Sequence, residues 1–247
     1  MNLQEIEIRP FSTSSLHETF LMEVSGRFFE IGKDVAELLN YFKCNGCEEA
    51  SIEEYSKQNG KFSKEEILTF INDFTKKLEK ESELPNKRKA FLYNRELISA
   101  DAINKCSSLL APLFNKWFIL FVILLFIALD VLYFIECSTI SKEHLDLNIY
   151  ILSGLLFFFI LSSLFHELGH ASACRYFNIS HGGIGLGLYI NIPVFYTDVS
   201  SVWKLPRKKR CIVNVGGVYF QILLLLPFLV IYPVSYTHLR AHETVLD

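Results

Sequence analysis

The sequence predicts an α-helical polytopic membrane protein with about three spans, joined to a small α+β winged-helix-like domain at its amino terminus. Two observations carry this. Three apolar stretches, 117–137, 149–170 and 211–231, each have the length of a helix that crosses a bilayer core. Charge is divided unevenly: residues 1–116 hold 16 of the 24 Lys+Arg and 19 of the 27 Asp+Glu, so the apolar character falls on the remainder. The expected organisation is a docking domain over 1–85, a linker and pre-membrane segment over 86–116, a membrane domain over 117–232 and a tail over 233–247.

In the first domain, Leu3 to Arg9 and Phe20 to Ile31 have strand character, with Ser25-Gly26 as a turn. Helices are expected over Lys33–Phe42, Ser51–Gln58 and Ser63–Glu79. Ser63 and Glu66 have the spacing of a capping box. Phe62, Ile67, Phe70, Ile71, Phe74 and Leu78 form a helical apolar stripe. Residues 1–10 are polar and charged, so no cleavable signal peptide is expected. Six cysteines are scattered; Cys44 and Cys47 form one CxxC, read as a turn with two reduced thiols. Pro85 to Lys89 is the expected linker.

The first span, Trp117–Cys137, contains one acid, Asp130, which faces either the helix bundle or the membrane edge. The second begins at Ile149, and its helix is expected to run on through His170 to Tyr176. The third, Cys211–Ile231, carries Asn214, Gly216, Gly217 and Gln221, a polar and small face suited to close helix packing. Basic residues set the orientation. The 138–148 loop has one Lys, whereas the 177–210 loop has Lys204, Arg207, Lys208, Lys209 and Arg210. The amino terminus and the second loop are therefore expected in the cytoplasm, with the basic cluster anchored on anionic lipid. His181 to Thr197 is Gly-rich and then apolar, which suggests strands or a re-entrant hairpin; a connecting loop in the interface is the alternative.

Residues 166–170 read His-Glu-Leu-Gly-His. On a helix this spacing puts His166 and His170 on one face, one turn apart, where both reach a single Zn2+. Glu167 between them is placed to act as general base on water. The motif extends a predicted span. Ionisable groups next to lipid are costly, and three within five residues need a shared partner, for which a metal is the simplest.

The His166–His170 motif, the run Tyr196-Thr197-Asp198-Val199-Ser200 with Trp203 to Arg207, and Asn214-Val215-Gly216-Gly217 through Gln221 together resemble the site-2 protease family of intramembrane zinc metallopeptidases. The nearest branch is that of bacterial membrane metallopeptidases linked to peptide maturation and export. The resemblance covers roughly residues 111–231. It implies zinc on His166 and His170, water activation by Glu167, and a third ligand from an Asp-Gly motif on a later helix. No Asp-Gly follows residue 170 here. Asp198 precedes Val199, and a further metal or substrate role for it stays open. Gln221 stands where the family often has Asn in a Gly-Pro-x-x-Asn pattern, and Val218 replaces the Pro. Asn214 and Gln221 are the substrate-orienting candidates.

Residues 233–247 resemble a tail recurring on unrelated translated fragments and are read as a sequencing artefact, so the third ligand is expected in native sequence past Tyr232. His238 and His242 are assigned no metal. Phe20 to Phe42 resembles the PqqD-like precursor-peptide recognition domain. The function expected is an intramembrane zinc metalloendopeptidase of the bacterial inner membrane, acting on a peptide or membrane-protein substrate. The alternative is a non-catalytic metal-binding subunit of a peptide modification or export complex; a metal-dependent sensor or transporter is a third reading. Export or modification proteins are possible partners, and no nucleic acid is expected.

Overall fold

The computed structural model describes residues 6–11, 18–83, 93–137 and 148–243, without the side chains of 79–83, 136–137 and 232–243. The expected Pro85–Lys89 linker, most of the 138–148 loop and the imidazoles of His238 and His242 lie outside what is described. The chain divides into two compact units, Met1–Phe91 with Trp203–Arg207, and Leu92–Val202 with Lys208–Asp247.

The first unit opens with three antiparallel strands, β1 (Glu7–Phe11), β2 (Thr19–Val24) and β3 (Arg27–Gly32), in that order across the sheet. Ser25 and Gly26 both take positive φ, 49° and 75°, which gives the β2–β3 turn the twist that a tight hairpin needs. The strand expected over Leu3–Arg9 thus joins the hairpin as a third strand. Helices α1 (Lys33–Asn45), α2 (Glu49–Asn59) and α3 (Lys64–Glu83) follow. Ile6, Met22, Val24, Leu39 and Leu78 form one core beneath the sheet; Leu38, Phe42, Ile52, Tyr55 and Ile67 form a second among the helices. The capping box closes both ways: Ser63 N–H donates to Glu66 Oε2 at 2.9 Å, and Glu66 N–H to Ser63 Oγ at 3.3 Å. Cys44 and Cys47 are free and exposed.

The second unit gives regular structure to much of the 86–116 segment expected as linker and pre-membrane sequence. It begins with β4 (Tyr93–Ile98), α4 (Ala100–Leu110) and a 3-10 turn (Ala111–Phe114). Each buries only a narrow strip. Strand β4 is mostly exposed and pairs along β5 (Ile184–Tyr189), from Tyr93 opposite Leu188 to Ile98 opposite Ile184. Helix α4 buries chiefly Ile103 and Ser107. Ile103 packs with Ala171 and Ile184 in a core that the partly buried Leu164, Leu168 and Phe195 surround.

Among the described residues, three helices are long and apolar enough to cross a membrane: Lys116–Ile135 of α5 (Lys116–Cys137), all of α6 (Ile149–Tyr176), and Arg207–Ile231 of α7 (Arg207–Glu243). The Asn148 side chain caps α6, accepting from Tyr150 and Ile151 N–H at 3.0 Å each. Asn178, at φ 55°, ends it, and Ile179 N–H returns to Cys174 O. The helix therefore continues unbroken through residues 166–170.

The 181–197 segment forms a hairpin of β5 and β6 (Ile192–Thr197), in a sheet ordered β4-β5-β6. Its two-residue turn places Ile190 at φ 45° and Asn191 at φ 67°. Positive φ suits Asn but strains a β-branched residue. Ile190 is 70% exposed, so no burial offsets that strain. Ile190→Asn should stabilise the hairpin by about 1 kcal/mol, read as slower hydrogen exchange of the β5–β6 amides; faster exchange would show that the isoleucine is favoured at this turn.

Candidate metal centre

The site is built where α6 meets α7. A Cβ at Gly169 would lie 2.3 Å from the Gly216 carbonyl oxygen, and one at Gly217 would lie 2.6 Å from Cε1 and Nε2 of His166. Both distances are far inside van der Waals contact. Glycine at 169 lets the two backbones touch, and glycine at 217 leaves the space that the His166 ring fills.

Within that space the two imidazoles have defined partners. His170 Nδ1 lies 2.8 Å from the Val213 carbonyl oxygen. A carbonyl only accepts, so Nδ1 carries the proton and Nε2 is a bare lone pair. His166 Nδ1 lies 3.2 Å from Gln221 Oε1. The Gln221 amide nitrogen donates to Ser162 Oγ at 3.1 Å, so one amide bridges Ser162 and His166. With the amide oxygen facing His166, Nδ1 is the donor and Nε2 is the nitrogen left to ligate.

The two Nε2 atoms stand 3.1 Å apart, with the rings nearly perpendicular. Two nitrogens bound about 2.0–2.1 Å from one tetrahedral ion would be separated by roughly 3.3 Å, close to what is seen. Glu167 completes the group: ligand atoms of His166, Glu167 and His170 all lie within 4.8 Å of one another, and all three residues are half-buried. Among the described residues no other cluster of this kind occurs. The donor set thus fits zinc on His166 and His170, each held by an acceptor at its far nitrogen.

The remaining sequence candidates are placed differently. Asp198 is not in the cluster. Its Oδ1 accepts from Ser200 N–H at 3.0 Å and Ser200 Oγ at 2.6 Å, which starts the 3-10 turn Ser200–Lys204. Asn214 is exposed and makes neither imidazole contact. Gln221, expected as a substrate-orienting candidate, lies against His166, its Oε1 3.2 Å from Nδ1. Two partners had escaped the sequence reading. Ser162 lies one turn before His166 on the same helix face, a polar residue in an apolar run that the spacing could have flagged. The Val213 carbonyl is a backbone group with no sequence signal. Thr197 Oγ1 donates to the Glu167 carbonyl oxygen at 3.4 Å, setting the end of β6 against the helix at the glutamate.

Comparison with known proteins points to the same chemistry. No family model matches the chain, and no solved structure matches it. Among curated proteins it is similar to the "Putative peptide zinc metalloprotease protein YydH" of Bacillus subtilis (strain 168), 28% identical over 118 residues. The match spans 47% of this chain and 45% of that protein, so under half the relative's length is covered.

Two consequences concern metal retention. Gln221→Leu removes the acceptor that orients His166 and should weaken zinc binding by about 10–100-fold, measured by competition with a chromophoric chelator; unchanged affinity would show that the contact is incidental. Gly217→Ala should abolish stoichiometric zinc, whereas Gly154→Ala, whose added carbon meets nothing within 4 Å, should leave it intact. Equal zinc in both variants would refute the packing account.

Proposed function

We propose that this protein is an intramembrane zinc metalloendopeptidase acting in bacterial peptide maturation or export. The observation that carries the reading is the convergence of two imidazoles, Nε2 atoms 3.1 Å apart, with Glu167 in a group whose ligand atoms all lie within 4.8 Å, each ring contacted at its other nitrogen. Similarity to a peptide zinc metalloprotease supports it. So does the position of the group, on a helix long and apolar enough to cross a membrane.

His166 and His170 would hold the ion. Bound zinc supplies Lewis acidity, polarising a peptide carbonyl and making water acidic near neutral pH. Glu167 takes the proton of the attacking water and delivers it to the departing amine. Its neighbours fix it by backbone rather than by side chain, through Thr197 on its carbonyl, so its carboxylate stays available. Gln221 and Ser162 keep His166 in the tautomer that ligates.

Strand β6 is an outer strand of its sheet and ends at Glu167. An extended peptide adding to that edge would run toward the glutamate, and strand addition recognises backbone rather than sequence. The substrate is a peptide or membrane protein, delivered by the amino-terminal domain or by export proteins. The basic residues Lys116, Arg175 and Lys208 to Arg210 favour the cytoplasmic face of the inner membrane for this end of the helices.

The discriminating variant is Glu167→Gln. It should keep one zinc per chain while peptide cleavage falls by at least about 10²-fold, whereas His166→Ala and His170→Ala should lose both. Full cellular function with Glu167→Gln would favour a non-catalytic metal-binding subunit instead.

A further inference from the structure

A second concavity lies on the other side of α7 from the metal centre. It encloses about 300 Å³ between the first turns of α5 and α7. Ile119 and Ile123 line it from α5; Ile212, Val215, Tyr219 and Ile222 line it from α7. It offers no free polar group from Tyr219, whose hydroxyl donates to the Leu113 carbonyl at 2.9 Å. Val215 and Ile212 remain exposed, so the helices leave this surface uncovered.

Helical spacing ties the groove to charge. Ile119 and Ile123 lie three and seven residues after Lys116, and Ile212, Val215 and Tyr219 lie four, seven and eleven after Lys208. Each lysine therefore heads the stripe that lines its side of the groove. Both are exposed, and among the described residues neither pairs with a carboxylate. Lys116 instead sits 5.3 Å over the Trp117 ring, an aromatic of the kind that marks the lipid–water boundary. Lys209 is occupied elsewhere, 5.5 Å over Phe177. An apolar trough headed by two unneutralised cations is complementary to one chemistry, an alkyl chain ending in an anionic headgroup.

We propose that this groove binds an anionic phospholipid, with an acyl chain along Ile123, Val215 and Tyr219 and the phosphate between Lys116 and Lys208. The site differs from a general basic anchor in requiring both the lysines and the trough. None of its lining side chains is a zinc ligand, so lipid occupancy and metal binding are separable. The proposal rests on the membrane reading above.

The test uses the full chain reconstituted in phosphatidylcholine bilayers with spin-labelled phosphatidylglycerol or spin-labelled phosphatidylcholine, reading the motionally restricted fraction of each. Carbonate-resistant membrane association and zinc content are measured on every sample. The unaltered chain should prefer phosphatidylglycerol several-fold. Lys116→Ala with Lys208→Ala should bring the preference to about one, since each lysine near a headgroup contributes roughly fivefold. Val215→Trp should fill the trough and lower the restricted phosphatidylglycerol fraction while zinc stays at the unaltered level. Equal association of the two lipids with the unaltered chain, or a preference that survives the double lysine variant, would mean annular lipid only. A Val215→Trp variant that keeps its zinc and its full preference would overturn the acyl-chain placement. So would a stable dimer in which a second copy covers the groove. Loss of carbonate resistance in the unaltered chain would refute the membrane reading itself, and loss of zinc alone would refute the metal reading and leave the lipid site standing.

Discussion

A side chain at position 169 would put its first carbon 2.3 Å from the Gly216 carbonyl oxygen, and one at 217 would intrude on the His166 ring at 2.6 Å. The backbones of α6 and α7 touch because both positions are glycine. A contact this close is favoured by tight packing and by polar groups that meet across it. Both occur within two turns of residue 169. Val213 O meets His170, and Gln221 meets His166 and Ser162. The hydrogen bonds that hold the helices together are the same ones that orient the two imidazoles. Metal geometry and helix packing are in this way one constraint.

The rest of the second unit supports α6 from behind. Ile103 of α4 and Ile184 of β5 pack with Ala171, next to His170. Glu96 Oε1 accepts from Ala100 N–H at 3.2 Å and links β4 to the start of α4. Arg175 Nε donates to Ser108 Oγ at 2.9 Å, fastening α4 to the end of α6. Ser107 Oγ lies 3.2 Å from His181 Nε2, between α4 and the chain leaving α6. Helix α4 and strand β5 therefore restrain the end of α6 that carries the motif. A ligand pair needs such restraint, because side chains free to swing would spend binding free energy on their own ordering.

Much of this was legible in the sequence, in proportion to how local each signal is. The helical positions of His166 and His170 follow from spacing alone, and so do the three long apolar helices and the Ser63–Glu66 capping box. Strand β4 was not legible: it exposes nearly all of its side chains and exists because β5 lies beside it. The local role of Asp198 was not legible either: its Oδ1 accepts from Ser200 two residues on, at the start of the 3-10 turn. The Val213 carbonyl has no letter in the sequence. What failed to show was long-range pairing and backbone chemistry, neither of which periodicity reports.

Gln221 illustrates how a departure from a pattern acquires a physical reason. The resemblance places an asparagine at this point, directed at substrate. Glutamine carries one methylene more, and here its amide spans two residues of α6, accepting from His166 and donating to Ser162. Ser162 and His166 lie four residues apart, so one amide crossing from α7 meets both at successive turns. A serine inside an apolar run, the longer amide opposite it and the missing Pro at Val218 are mutually consistent. Without a prolyl ring the α7 backbone stays regular from Val213 to Gln221, which keeps its carbonyl on His170 and its amide on His166 in one register. The longer amide thus bridges Ser162 and His166 across the α6–α7 contact.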